Sequence, residues 1–262
     1  MRRVHDWRDD IRLFTKTAEQ SPNSATILTN LGYIYYLHGR VDLSIDFYQR
    51  SLALNPDRAL THNNLGNSLS TKARYAEAAL HIRRALELKP DYYAAWLNLG
   101  LVYANEKQWD KGIEAYRAAL QLKPGFAEAL TAMGLAYWSK GEPAAAVAAY
   151  RQAIAAKPDY IQARINLASA LSETGQNDEA IEHLLAALKT DRTGAYASVV
   201  HFNLGVNYER KGRWDAAMVE YDRALALNPN FPEARRRLEI VRARQPASAP
   251  PPAPLSPLQR RF

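Results

Sequence analysis

Gly32, Gly66, Gly100, Gly134, Ala168 and Gly205 stand 34, 34, 34, 34 and 37 residues apart, and this spacing constrains the fold more than any other feature. A unit of this length cannot bury a core alone, so successive units must stack and share one. In the same register a large apolar residue precedes each small one: Leu31, Leu65, Leu99, Met133, Leu167 and Leu204. Three residues after it come Tyr35, Leu69, Tyr103, Tyr137, Leu171 and Tyr208. These offsets place all three positions on one stripe of a helix. A second helix follows in each unit. Its position 20 is Ser44, Ala78, Gly112, Ala146, Ala180 or Ala217, and its position 24 is Tyr48, Ile82, Tyr116, Tyr150, Leu184 or Tyr221. Position 32, where Pro56, Pro90, Pro124, Pro158, Arg192 and Pro229 fall, ends it: proline lacks the amide hydrogen a continuing helix needs.

This pattern resembles the tetratricopeptide repeat (TPR) family over residues 25 to 231. The resemblance implies an all-α, right-handed α-solenoid of six stacked helix pairs, with an N-terminal half-repeat and a C-terminal capping helix. Small residues at positions 8, 20 and 27 are expected to let two helices approach closely, and the aromatic at position 24 to fill the space between neighbouring pairs. The expected repeats are 25–58, 59–92, 93–126, 127–160, 161–197 and 198–231. Residues 1–24, with Trp7 in the register of Trp109 and Trp214, read as half a repeat. It is either a cap or what remains where a longer protein has been cut. In the fifth repeat Arg192 replaces the proline and three extra residues fall within Thr193–Ala197, a longer turn or a hinge. Residues 232–245 read as a basic capping helix, with Leu238, Ile240 and Val241 available to cover the last repeat. The six prolines of residues 246–262 imply a disordered or polyproline-like tail. Its P-x-x-P spacings suit an inert linker better than a docking motif.

Composition narrows the function. No long apolar run suggests a membrane span, no apolar stretch follows Met1-Arg2-Arg3 to make a signal peptide, and the absence of Cys leaves the compartment open. The cytoplasm is slightly favoured. Of the net charge of +7, the seven Arg and two Glu after Phe231 supply +5, so the body is nearly neutral. With no basic stripe and no interleaved aromatics, nucleic acid is not expected as a partner.

Enzyme signatures are missing. Gly66–Lys72 has the outline of a phosphate loop but lacks its second glycine and sits inside a helix of the register. The six His, at 5, 38, 62, 81, 183 and 201, read as falling at different repeat positions with no metal-ligand spacing, which suits surface or inter-helix roles. No catalytic residue, metal site or cofactor is assigned.

One constellation remains. Position 6 is Asn30, Asn64, Asn98, Ala132, Asn166 and Asn203, and five asparagines in six units need a reason, because Asn is poor inside a helix. At about 100° per residue, position 6 lies roughly 150° from the stripe of positions 4, 7, 8 and 11. The row therefore points away from the helix-pair core, toward the concave surface of a stacked array. An amide there can donate to a carbonyl and accept from an N–H of an extended main chain. The row is similar to the asparagine ladder in the TPR superhelix of O-linked N-acetylglucosamine transferase, which implies capture of protein substrates; Ala132 interrupts it. The alternative is that each Asn bonds to its neighbouring repeat or to water.

Tyr33, Asn67, Leu101, Asn105 and Trp138 join the asparagines as candidate peptide contacts. The face is mixed apolar and neutral, and the first four repeats place no Lys or Arg on it to clamp a carboxylate. The expected function is a non-catalytic module that binds a protein or extended peptide, with self-association left open. One alternative is the acceptor-binding part of a membrane glycosyltransferase, because W-R-D-D-I-R-L-F before S-P-N-S-A resembles the junction where such enzymes enter their C-terminal repeats. In that case the location would be extracytoplasmic. Another is a structural assembly scaffold.

Overall fold

The structure, a computed structural model, describes residues 23–244. The half-repeat read before Ala25 and the proline-rich tail lie outside the described residues. Within them all thirteen regular elements are α-helices. They divide between two compact units, residues 1–158 and 159–262. The first holds α1 (Ala25–Leu37), α2 (Val41–Leu54), α3 (Ala59–Thr71), α4 (Tyr75–Leu88), α5 (Tyr93–Asn105), α6 (Trp109–Leu122), α7 (Ala127–Ser139) and α8 (Pro143–Ala156). The second holds α9 (Ile161–Glu173), α10 (Asn177–Thr190), α11 (Ala197–Arg210), α12 (Trp214–Leu227) and α13 (Pro232–Arg244). In each unit every odd-numbered helix packs on the helix after it, and each pair stacks on the next, the arrangement of an α-solenoid.

The turn inside each pair is one repeated device. The first helix closes with two crossed main-chain bonds, such as Gly39 N–H to Tyr36 O (3.0 Å) and Arg40 N–H to Tyr35 O (2.9 Å). This Schellman closure satisfies carbonyls that the helix end leaves open, and it needs one residue at positive φ. That residue is Gly39, Ala73, Lys107, Gly141, Gly175 or Gly212, always at position 15.

Small residues do let the helices meet: Ser51, Ala85, Ala119, Ala153, Ala187 and Ala224, all at position 27, are fully buried. The role of position 24 needs correction. Its ring does not simply fill space between neighbouring pairs; it lies across the position-8 glycine of its own pair. A Cβ on Gly100 would stand 2.4 Å from Cε1 of Tyr116, and one on Gly134 2.5 Å from Cε1 of Tyr150. Where position 8 is Ala168, position 24 is Leu184, so the extra methyl goes with a side chain that has no ring. Burial pushes the hydroxyls of Tyr48, Tyr116, Tyr150 and Tyr221 well above the usual tyrosine range.

The insertion of the fifth repeat is a closed turn. The Asp191 carboxylate accepts from Thr193 N–H (3.2 Å), Thr193 Oγ1 (2.9 Å), Gly194 N–H (2.9 Å) and Tyr196 N–H (2.9 Å). Those bonds, that of Tyr196 first, hold its pKa below the usual carboxylate range. At the C-terminal end α13 buries Ala234, Leu238 and Val241 against α12, capping the second unit. Ile240, expected to help cover the last repeat, is instead exposed: it falls two residues from Leu238, about 200° around the helix.

Candidate functional site

The surface that carries the asparagine row is set by which helices touch. In the first unit α1 meets α3, α3 meets α5 and α5 meets α7; in the second α9 meets α11. No comparable contact joins successive second helices among the described residues. The first-helix layer is thus the tighter, inner layer of each unit. Its outward positions in the first unit carry apolar side chains left in solvent, including Tyr33 at 49%, Leu37 at 60%, Leu60 at 50% and Leu101 at 40% exposure.

The asparagines do not all stand free on that surface. Asn30 is exposed and makes no side-chain hydrogen bond among the described residues, whereas Asn64, Asn98, Asn166 and Asn203 are half-buried. Position 6 lies above the seam between consecutive first helices rather than on open surface, because these helices touch. Asn98 Nδ2 donates across the α3–α5 seam to Asn63 Oδ1 (2.9 Å), and Asn63 Nδ2 donates to Asn64 Oδ1 (3.3 Å). In the second unit Gln162 Nε2 donates to Asn166 Oδ1 (3.0 Å), and Asn166 Nδ2 is buried with no partner. Ala132, the gap in the row, is buried. Asn67 and Trp138 are half-buried, and Asn105 is exposed. The charged groups of the face are compensated: Lys157 lies 3.7 Å from Glu128, and Arg210 pairs with Glu173.

Asn63 is a member of this network that reading the sequence for a repeated position passes over. It is 5% exposed, at a position occupied in other repeats by Thr29, Leu97, Thr131, Ile165 and Phe202. The available signal was the Asn63-Asn64 doublet, an amide at a core position beside one at a rung.

The histidines also require correction. They do not fall at different positions: His62 and His201 share position 4, and His81 and His183 share position 23. The two positions face each other across a helix pair. His62 Nε2 donates to Pro56 O (2.9 Å), so its Nδ1 is the acceptor for the Nδ1–H of His81 (3.0 Å). In the last pair His201 Nδ1 lies 2.6 Å from Glu220 Oε2. Position 4 reaches the proline carbonyl elsewhere too, through Trp96 Nε1 to Pro90 O (3.1 Å) and Arg235 Nη2 to Pro229 O (2.9 Å). These contacts hold helices together. Among the described residues no group of His, Asp and Glu could hold a metal ion, and no helix is long and apolar enough to cross a membrane.

Comparison with known proteins places this architecture. Profiles described as tetratricopeptide repeat match residues 23–91, 63–125, 137–200 and 198–231. Peroxisomal targeting signal receptors of Candida albicans and Debaryomyces hansenii are 36% and 38% identical to this chain over 70 residues. Those matches cover 25% of this chain and 12% of each receptor. Among solved structures, a chain of the APC/C hetero-tetramer Cut9–Hcn1 superposes with a TM-score of 0.74 at 17% identity, over 89% of this chain and 46% of that one. YrrB, described as a TPR protein with an unusual peptide-binding site, gives 0.56 at 21% identity over 73% of this chain and 97% of its own. MamA gives 0.55 at 26% identity over 63% and 96%. With four tetratricopeptide repeat profiles together matching most of residues 23–231, over helix pairs of this geometry, the chain belongs to the tetratricopeptide repeat family.

Proposed function

We propose that this protein-interaction module holds an extended polypeptide on its first-helix face, with the asparagine row gripping the ligand main chain. The observation that carries the reading is the composition of that face in the first unit. Amides at Asn30, Asn64 and Asn98 alternate with exposed Tyr33, Leu60 and Leu101, and its charges are paired. Such a surface offers hydrogen bonds to any main chain and apolar area to alternate side chains, with no strong demand for charge. In the second unit Asn166 and Asn203 carry the same amide chemistry on that unit's own first-helix layer. Asn67, Asn105 and Trp138 border the proposed path.

Each main-chain bond to an amide contributes about 0.5–1.5 kcal/mol, so losing three weakens binding by at least about tenfold. The test is to select blocked 12-residue peptides from a randomised library and measure the tightest against Asn30→Ala, Asn64→Ala and Asn98→Ala combined, all three in the first unit. Ala132 already occupies a rung, so the fold tolerates alanine there. A drop of tenfold or more with unchanged helicity supports the reading, and unchanged affinity removes the asparagine row from it.

A further inference from the structure

We infer that Asn63, a residue outside the row, is a positioning residue that sets the amide planes of Asn64 and Asn98 and makes these two the anchoring rungs of the first unit. The inference rests on the reading of the row as a main-chain grip. Asn63 is 5% exposed and uses both ends of its amide: Oδ1 accepts from Asn98 Nδ2 at 2.9 Å, and Nδ2 donates to Asn64 Oδ1 at 3.3 Å. Burying an amide carries a desolvation cost that an apolar residue avoids, and at this position the fold accepts Leu97, Ile165 and Phe202 in other repeats. Thr29 and Thr131 fill it elsewhere, so the position accepts a buried polar group without needing one, and folding does not require an amide here.

What the amide does locally is remove rotational freedom from two neighbouring side chains. Asn98 has its amino end tied back across the α3–α5 seam, so its Oδ1 is the edge left to accept a ligand N–H. Asn64 has its Oδ1 occupied by Asn63 Nδ2, so its Nδ2 is the edge left to donate to a ligand carbonyl. By contrast, Asn30 in the same unit has no side-chain hydrogen bond among the described residues, and Ala132 has no amide at all. A rung fixed before binding does not lose its rotamer entropy when the ligand arrives, so fixed rungs anchor and free rungs only assist.

Asn63→Leu tests this without removing either rung, since Leu97 occupies the equivalent position of the next repeat. In the whole protein the variant is expected to keep the thermal midpoint and to lose about threefold to tenfold in affinity for the selected blocked 12-residue peptide. Without any ligand, the side-chain amide protons of Asn98 are expected to exchange faster with deuterated water than in the parent. A double-mutant comparison excludes a merely structural effect: adding Asn63→Leu to the Asn64→Ala/Asn98→Ala variant should change affinity no further. Parent-like affinity in Asn63→Leu, while Asn98→Ala alone binds more weakly, overturns the positioning role and leaves the main-chain grip standing. Parent-like affinity in both overturns the grip, and the inference with it.

Discussion

Ala73 and Lys107 sit where four other repeats place glycine, and both take a left-handed backbone, with φ of 58° and 59°. The glycines at that position open further, to 71° at Gly39, 77° at Gly141, 82° at Gly175 and 70° at Gly212. The difference follows from Cβ: a residue with a side chain is confined near the small left-handed well at about 57°, while glycine is not. The left-handed conformation costs a non-glycine residue roughly 1–2 kcal/mol, part of which glycine gives back through its freer unfolded chain. Ala73→Gly and Lys107→Gly should therefore each stabilise the fold by about 0.5–1 kcal/mol, against the usual rule that glycine weakens a chain. Gly141→Ala should do the reverse by a similar amount. Urea midpoints of the three variants check this, and a lower midpoint for Ala73→Gly would overturn the account. The apolar periodicity that reveals the helices does not mark this turn, because position 15 is defined by backbone conformation rather than by side-chain type.

Helix pairs are held by more than their apolar stripe. In the second pair, His62 on α3 and His81 on α4 share an Nδ1···Nδ1 hydrogen bond that needs one bare ring nitrogen, so the two rings cannot both be protonated while it holds. Both pKa values are held below the ordinary histidine value, mainly by burial; for His62 the bond to the Pro56 carbonyl opposes this, Arg84 lowers it further and Asp57 and Glu87 raise it, while His81 also feels the charge on His62. Below about pH 6.5 the unfolded chain therefore binds more protons than the folded one. The pair's contribution is complete above that pH and is lost as pH falls from there through the folded values. Between pH 7.5 and 5.5 the urea midpoint should drop more for the parent than for His62→Leu/His81→Ala. That variant installs the Leu130 and Ala149 combination of the fourth repeat. Parallel pH curves would rule out the pair as the acid-sensitive element. This contact was present in the sequence as two positions that alternate between apolar and polar occupants. The expected inter-helix role holds, but the pairing itself was not legible, because polar residues in a solenoid are usually on its surface and here the helix pair encloses them.

Across the whole molecule, the fold was readable because it is a periodic solution: eight positions repeat over six units, and local contacts alone satisfy them. The site was readable only in part. Periodicity identified the asparagines, but wheel geometry for one isolated helix put position 6 on open surface, whereas neighbouring first helices in contact half-bury Asn64 and Asn98. In the first unit, which amides are tied depends on one non-repeating residue, Asn63, and a non-repeating residue has no periodic signal. Charge distribution makes the last prediction. Residues after Phe231 carry +5 of the net +7, and the charged groups on the inner face pair locally. A peptide held by amides and apolar contacts should change in affinity by less than about twofold between 50 and 500 mM NaCl, since salt screens exposed charges and leaves such contacts intact. A ligand held instead by Arg235, Arg236 and Arg242 on α13 would weaken about tenfold or more over the same range. Fluorescence anisotropy with the selected 12-residue peptide separates these outcomes, and a steep loss with salt would move the binding surface from the asparagine row to the basic cap.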